Sequence, residues 1–146
     1  MVDYGTSEEL LSGVERIVVA AVGVTARAVN EVAPDLTLGQ WRVLVLVDRP
    51  GGMPVGAVSA ALGAKIAATS RLVGRLQRRG LVETRRAETD GRVVLVSLTS
   101  AGETLRTRIV ERRRAELVMR LADAPRTAQA ERLVERLAEA LEAAES

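Results

Sequence analysis

The stretch "AKIAATSRLVGRLQRRGLVETRRAETDGRVVLVSL", residues 64–98, changes its period halfway. Up to Arg79 it has helical spacing: Ile66, Thr69, Leu72, Val73 and Leu76 share one face. The other face carries Lys65, Ala67, Ala68, Ser70, Arg71 and Arg75. Gly80 reads as the C-terminal cap. Beyond it, Leu81 to Arg86 and Arg92 to Leu98 are β-branched and extended, with residues 87–91 as the connecting loop.

Upstream, "MPVGAVSAALG" predicts a short helix. Pro54 suits its first position, Val55, Val58 and Leu62 form one face, and Gly63 ends it. Two helices joined by a tight turn at Gly63 and Ala64 make a helix-turn-helix. A hairpin directly after the second helix makes it a winged helix. The predicted fold class is therefore mainly α with a small β-hairpin wing.

Helices flank this lobe on both sides. "TSEELLSGVERIVVAAVGVTARAVNEV" opens with a capping box, Thr6 with Glu9. Leu10, Leu11, Val14, Ile17, Val18, Ala21, Val22 and Val24 then form a stripe wider than one neighbour needs. This first helix spans about residues 7–32 and stops before Pro34. Thr37 and Gln40 form a second box, and its helix runs to about Asp48, where Pro50, Gly51 and Gly52 stop it. Thr99 or Ser100 caps a fifth helix reaching about Ala122, with Ser100 and Glu103 matching the box pattern. Pro125 starts a sixth, in which Leu133, Leu137 and Leu141 recur every four residues. The expected organisation is one domain over residues 1–146. A winged-helix lobe at 35–99 would carry the function, and 7–32 and 100–145 would hold a dimer together. An intramolecular bundle in a monomer is the alternative for those helices.

Composition narrows the chemistry. Apolar residues make up 47% of the 146 residues, but aromatics are 1%, so Val, Leu, Ile and Ala must form the core. There is no cysteine or histidine, hence no disulfide, thiolate nucleophile, imidazole base or ordinary zinc site. No acid pair stands apart from the surface acids. An enzyme is therefore disfavoured, and no metal or cofactor is expected. Nothing reads as a signal peptide or membrane span, so the expected location is the cytoplasm, with no membrane partner. The net charge is +2, yet residues 65–92 hold eight bases against three acids, a net of +5. A concentrated basic segment points to a polyanion. Habitual use of arginine explains Arg over Lys here, but not the clustering.

"LTLGQWRVL", "PVGAVSAALG", "ATSRLVGRLQRRGLVETR" and "DGRVVLVSLTSAG" follow one another in an order and spacing that resembles the multiple antibiotic resistance regulator (MarR) family of transcription factors. The resemblance covers about residues 8–144. Its most specific piece is Asp-x-Arg before the second wing strand, followed by Leu-Thr-x-x-Gly: here Asp90, Arg92, Leu98, Thr99 and Gly102. It implies a homodimer with a winged helix in each subunit. The helix from about Lys65 to Arg79 would enter the major groove of double-stranded DNA, and the wing tip the adjacent minor groove. It further implies repression from a pseudo-palindromic operator, released by a small ligand.

The residues suit those roles. Ala67 and Ala68 allow close approach to base edges, Ser70 can donate to a phosphate or base, and Arg71 and Arg75 share one face. Arg92 suits a narrow minor groove. Asp90 can orient Arg92 through a charge-assisted hydrogen bond, or Asp90 and Gly91 can be plain turn chemistry. Arg85 and Arg86 can meet phosphates or be solvated. Arg78 and Arg79 sit where a helix end favours cations in any case. Many relatives carry a cation where Gly91 stands; others sense oxidants through cysteine or bind zinc through histidine, which this chain cannot do. An effector would then be a small organic molecule, with Arg16, Trp41 and Val45 as candidate pocket residues; the alternative for all three is core, and burial habit favours core or interface for Trp41. Leu10, Leu11, Val14, Leu133, Leu137 and Leu141 are the candidate dimer contacts. The functional expectation is a DNA-binding transcriptional regulator. The alternative is a winged-helix dimer that docks proteins and binds no operator.

Overall fold

Capping chemistry and apolar periodicity set the element order. The computed structural model describes residues 8–124 and 126–143. They form α1 (Glu8–Val32), α2 (Leu38–Leu46), β1 (Met53–Pro54), α3 (Val55–Leu62), α4 (Ile66–Arg78), β2 (Val82–Arg86), β3 (Val94–Leu98), α5 (Ser100–Arg120) and α6 (Ala128–Ala143). Thr6 and Ser7 at the expected start of the first helix, and Pro125 at that of the sixth, lie outside the described residues. No helix among the described residues is long and apolar enough to cross a membrane.

Thr37 caps α2 reciprocally: its hydroxyl accepts from the Gln40 N–H at 3.2 Å, and the Gln40 side chain accepts from the Thr37 N–H at 3.0 Å. The helix is short but buries Trp41, Val43, Leu44 and Leu46. α4 is strongly amphipathic and buries Thr69, Val73 and Leu76. Ile66, assigned to that inward face, is instead 62% exposed, because it is the first helical residue and precedes the packed turns. Gly80 leaves α4 at φ 67°; its N–H donates to the Gln77 carbonyl (2.9 Å) and the Leu81 N–H to the Leu76 carbonyl (3.0 Å). This paired closure satisfies two of the last carbonyls of the helix, those of Leu76 and Gln77.

The sheet has three strands rather than two, in the order β1-β3-β2, all antiparallel. β1 was not foreseen. Two residues including a proline carry no alternation to read. Met53 pairs with Val96 and Pro54 with Leu95. Pro54 is consequently extended (ψ 138°) and precedes α3 instead of opening it. Its neighbour Gly52 presses on β3: a Cβ there would stand 2.3 Å from the Val96 carbonyl oxygen.

The core gathers Val29 from α1, Val43, Leu44 and Val47 from and just after α2, Val58 from α3, Leu76 from α4, Val82 and Val96 from the sheet, and Ile109 from α5. Apart from Trp41 it is aliphatic. Thr99, not Ser100, caps α5. Its hydroxyl accepts from the Gly102 N–H (3.1 Å) and donates to the Gly80 carbonyl (2.5 Å), while its own N–H reaches the Leu81 carbonyl (3.2 Å). A Cβ on the buried Gly102 would lie 2.0 Å from that Leu81 oxygen.

Ion pairs add a polar seam along α5. Arg106 meets Asp48 at 2.7 Å, and the buried Glu116 takes Arg27 at 2.8 Å. Arg112 grips Glu31 with two donors, one of them at 2.9 Å, and this hydrogen bonding raises the Arg112 pKa.

The chain divides into two compact units, one up to Glu116 and one from Leu117 onward. In the second, Thr127 caps α6 by accepting from the Ala130 N–H at 3.2 Å, so α6 begins there and not at the proline. Leu133, Val134 and Leu141 of α6 are exposed, and Leu137 is half-buried.

Gly102→Ala tests the junction. In an ordinary helix this change gains up to ~1 kcal/mol. Here the clash with the Leu81 carbonyl should reverse the sign and cost ~1–3 kcal/mol in chemical denaturation. Gly56→Ala, helical with nothing within 4 Å of the added atom, should gain ~0.5–1 kcal/mol. Equal stabilisation by both would show that the junction backbone yields freely.

Candidate nucleic-acid interface

The turn between α3 and α4 is held by a side chain the sequence reading passed over. The buried Ser59 hydroxyl donates to the Ala64 carbonyl at 2.6 Å, and the Ala64 N–H donates back to the Ser59 carbonyl at 3.0 Å. Serine in a helix interior ordinarily competes with the helix; here it ties down the loop that aims α4. Arg42 was also passed over. From α2 its guanidinium reaches the Ala61 carbonyl near the end of α3, at 3.4 Å.

α4 then presents Lys65, Ala67, Ser70, Arg71 and Arg75 to solvent, with Ala68 half-buried. The helix contains no acidic residue. Arg75 and Arg78 stand in its last turn, where the helix dipole favours them. Arg79 is drawn away: its guanidinium donates to the Asp35 carbonyl at 3.2 Å.

β2 and β3 pair over five residues, from Val82 with Leu98 to Arg86 with Val94. The tip is closed by the Ala87 N–H on the Val93 carbonyl (2.9 Å) and the Val93 N–H on the Asp90 carbonyl (3.0 Å). Asp90 does not orient the Arg92 guanidinium. Its carboxylate accepts the Arg92 backbone N–H at 2.9 Å, which is the turn chemistry of the alternative reading. Arg92 itself is exposed. Its side chain borders a cleft of about 560 Å³ together with Ile66, Ser70, Gly74, Gln77 and Thr84. The wing arginine and the outward serine of α4 thus line the same opening. Gly91 is not required by the turn. It is not among the positive-φ glycines, and nothing lies within 4 Å of where its Cβ would be.

Arg85 and Arg86 separate. Thr84 accepts from the Gln77 side chain at 3.3 Å, so its face of the hairpin looks at α4. By strand alternation Arg86 shares that face and Arg85 takes the opposite one. Arg85 donates to the Gly51 carbonyl at 3.2 Å and borders a second cavity, about 430 Å³, with Asp48, Glu83 and Glu103. Arg86 donates to the Gly91 carbonyl at 2.5 Å and braces the tip.

The candidate effector residues are not drawn together. Trp41 is 5% exposed within the core, whereas Val45 of the same helix is exposed. Arg16 borders a shallow cleft made by α1 residues 13–20 that includes neither of them. Among the candidate dimer contacts Leu10, Leu11, Leu133 and Leu141 are exposed, and Val14 and Leu137 half-buried. Among the described residues no group of three or more acids could hold a metal ion.

Comparison with known proteins agrees with this architecture. Residues 35–93 match the MarR family. The HTH-type transcriptional repressor IacR of Pseudomonas putida is 34% identical over 68 residues, 47% of this chain and 41% of the repressor, so the match spans less than half of that relative. Among solved structures, RV1404 from Mycobacterium tuberculosis superposes with a TM-score of 0.74 at 26% identity, covering 95% of this chain and 96% of the other. CouR from Rhodococcus jostii RHA1, solved with p-coumaroyl-CoA, gives 0.73 at 22% identity over 94% and 92% of the two chains. Residues 35–93 are thus similar in sequence to the MarR family, and over nearly its whole length the chain shares its fold with these solved structures.

Proposed function

We propose that the chain is a homodimeric transcriptional regulator that binds double-stranded DNA and represses from a pseudo-palindromic operator. The observation that carries this reading is the acid-free α4, which exposes Ser70, Arg71 and Arg75 with Lys65 just ahead of it, and whose Ser70 lines the same cleft as Arg92 of the wing. A rod that fits the major groove and a β-finger beside it offer guanidinium groups to two neighbouring grooves. Arg71 and Arg75 can fork onto base edges or phosphates, and Arg92 can enter a narrow minor groove. Arg85 leaves the set, since it faces away from α4 and is tied to Gly51. A protein-docking module would need an apolar or neutral face on α4, which is not what the helix offers.

Dimer formation is supported by the apolar residues left uncovered on α1. Ile17, Val19 and Val22 are 63%, 73% and 54% exposed, too much oily surface on one helix for an isolated subunit. Repression is the activity named for IacR, and an organic acyl ligand is present in the CouR structure. By that analogy a small organic effector, amphipathic or anionic, relieves repression here.

Arg92→Ala should weaken binding to operator fragments, selected from the organism's own genome, by ~10-fold or more while leaving the thermal midpoint within a degree or two. Arg85→Ala should change affinity far less. Equal losses in the two variants would overturn the assignment of faces on the wing. Affinity should also fall steeply with salt, the logarithmic slope counting the phosphates met by both subunits. A flat response would favour protein docking. Light scattering should report a dimer, with recognition helices spaced ~34 Å apart on DNA. Val19→Asp should shift it towards monomer.

A further inference from the structure

Of the 21 basic residues in the chain, Lys65 alone is a lysine. It is the residue that precedes α4, with φ −71° and ψ 144°, and its side chain makes no capping hydrogen bond. Its backbone carbonyl accepts from the Ala68 and Thr69 N–H groups, but its side chain is exposed and has no hydrogen-bond or ion-pair partner among the described residues. For the helix it is a poor choice. An N-cap favours a side-chain oxygen, and a cation there meets the positive end of the helix dipole. Three other helices use threonine for this task, at Thr37, Thr99 and Thr127, while α3 follows Pro54 without a side-chain cap. Helix stability therefore does not account for Lys65. Charge alone does not account for it either, because arginine supplies charge everywhere else.

What a lysine has and an arginine lacks is an amine that can be acylated. We propose that Lys65 is an acylation site whose modification weakens DNA binding; the inference rests on the DNA-binding reading above. The donor is an activated acyl group, an acyl phosphate or acyl thioester. The neutral ε-amine nitrogen attacks the acyl carbonyl carbon and a C–N bond forms. The C–O bond to phosphate or the C–S bond to the thiol breaks, the phosphate or thiolate leaves, and the nitrogen gives up one proton to water. A neutral amide remains at the head of α4. The fold tolerates it, since no partner is lost and a repulsion with the helix end is removed. The DNA-facing surface loses one positive charge per subunit and two per dimer. Each lost phosphate contact lowers the salt slope by ~0.9.

The full chain, treated with acetyl phosphate and mapped by mass spectrometry, is titrated against a mixed-sequence duplex at low salt. Lys65 should carry an acetyl group. Duplex affinity should fall on the order of tenfold and the salt slope by ~1.8 per dimer, with the thermal midpoint unchanged or raised. Lys65→Arg reports on the reagent: whatever its own affinity, treatment should leave that affinity where it was. Acetylation at Lys65 with undiminished binding would overturn the proposal. So would a Lys65→Arg protein that loses affinity on treatment as the native chain does, which would trace the effect to the α-amino group. An untreated native chain that ignores duplex DNA would remove the regulator reading itself, and this inference with it.

Discussion

The exit of α4 and the entry of α5 share one set of backbone atoms. Gly80 turns the chain out of α4, and its carbonyl takes the Thr99 hydroxyl. The Leu81 carbonyl takes the Thr99 N–H and occupies the space that a side chain at residue 102 would need. β2 leaves and β3 returns between these points, so the hairpin is a loop pinned at its base. The direction of α4 therefore sets that of the wing. At the far end of the hairpin, Arg92 lines one cleft with Ser70 of α4. The Leu-Thr-x-x-Gly motif is thus explained by packing, without appeal to any contact with a ligand.

Much of the fold was legible from the chain alone, for local reasons. The reciprocal cap of Thr37 and Gln40, the glycine exit at Gly80 and the change of period beyond it are short-range signals written in adjacent residues. Features that depend on distant partners were not legible. β1 exists because β3 offers a free edge, not because Met53 and Pro54 favour strand. Of the two caps the chain offers for α5, Thr99 and Ser100, the contact with the Gly80 carbonyl favours Thr99, and α6 is capped by Thr127.

The candidate site divides along the same line. Most outward residues of α4 followed from a 3.6-residue period: Ala67, Ser70, Arg71 and Arg75, with Lys65 before them, are exposed, while Ala68 is half-buried and Ile66 turns outward. The wing was harder. Adjacent arginines on a strand fall on opposite faces, and nothing in "RR" says which one meets the helix. The hydrogen bond between Gln77 and Thr84 decides it. Asp90 has one short side chain and two nearby donors in Arg92; turn geometry brought the backbone donor within reach. Trp41, the chain's one tryptophan, reads as core or interface before ligand platform, and it lies buried among aliphatic side chains.

The contact of Gly52 with the Val96 carbonyl has a consequence for how this protein can vary. It fixes the central strand at its midpoint, where Val96 pairs with Thr84. Strand alignment is thereby decided away from residues 87–93. Insertions or deletions in that tip can lengthen or shorten the finger without exchanging the two faces of β2. The protein can retune its reach by editing a few turn residues while the scaffold beneath stays in step.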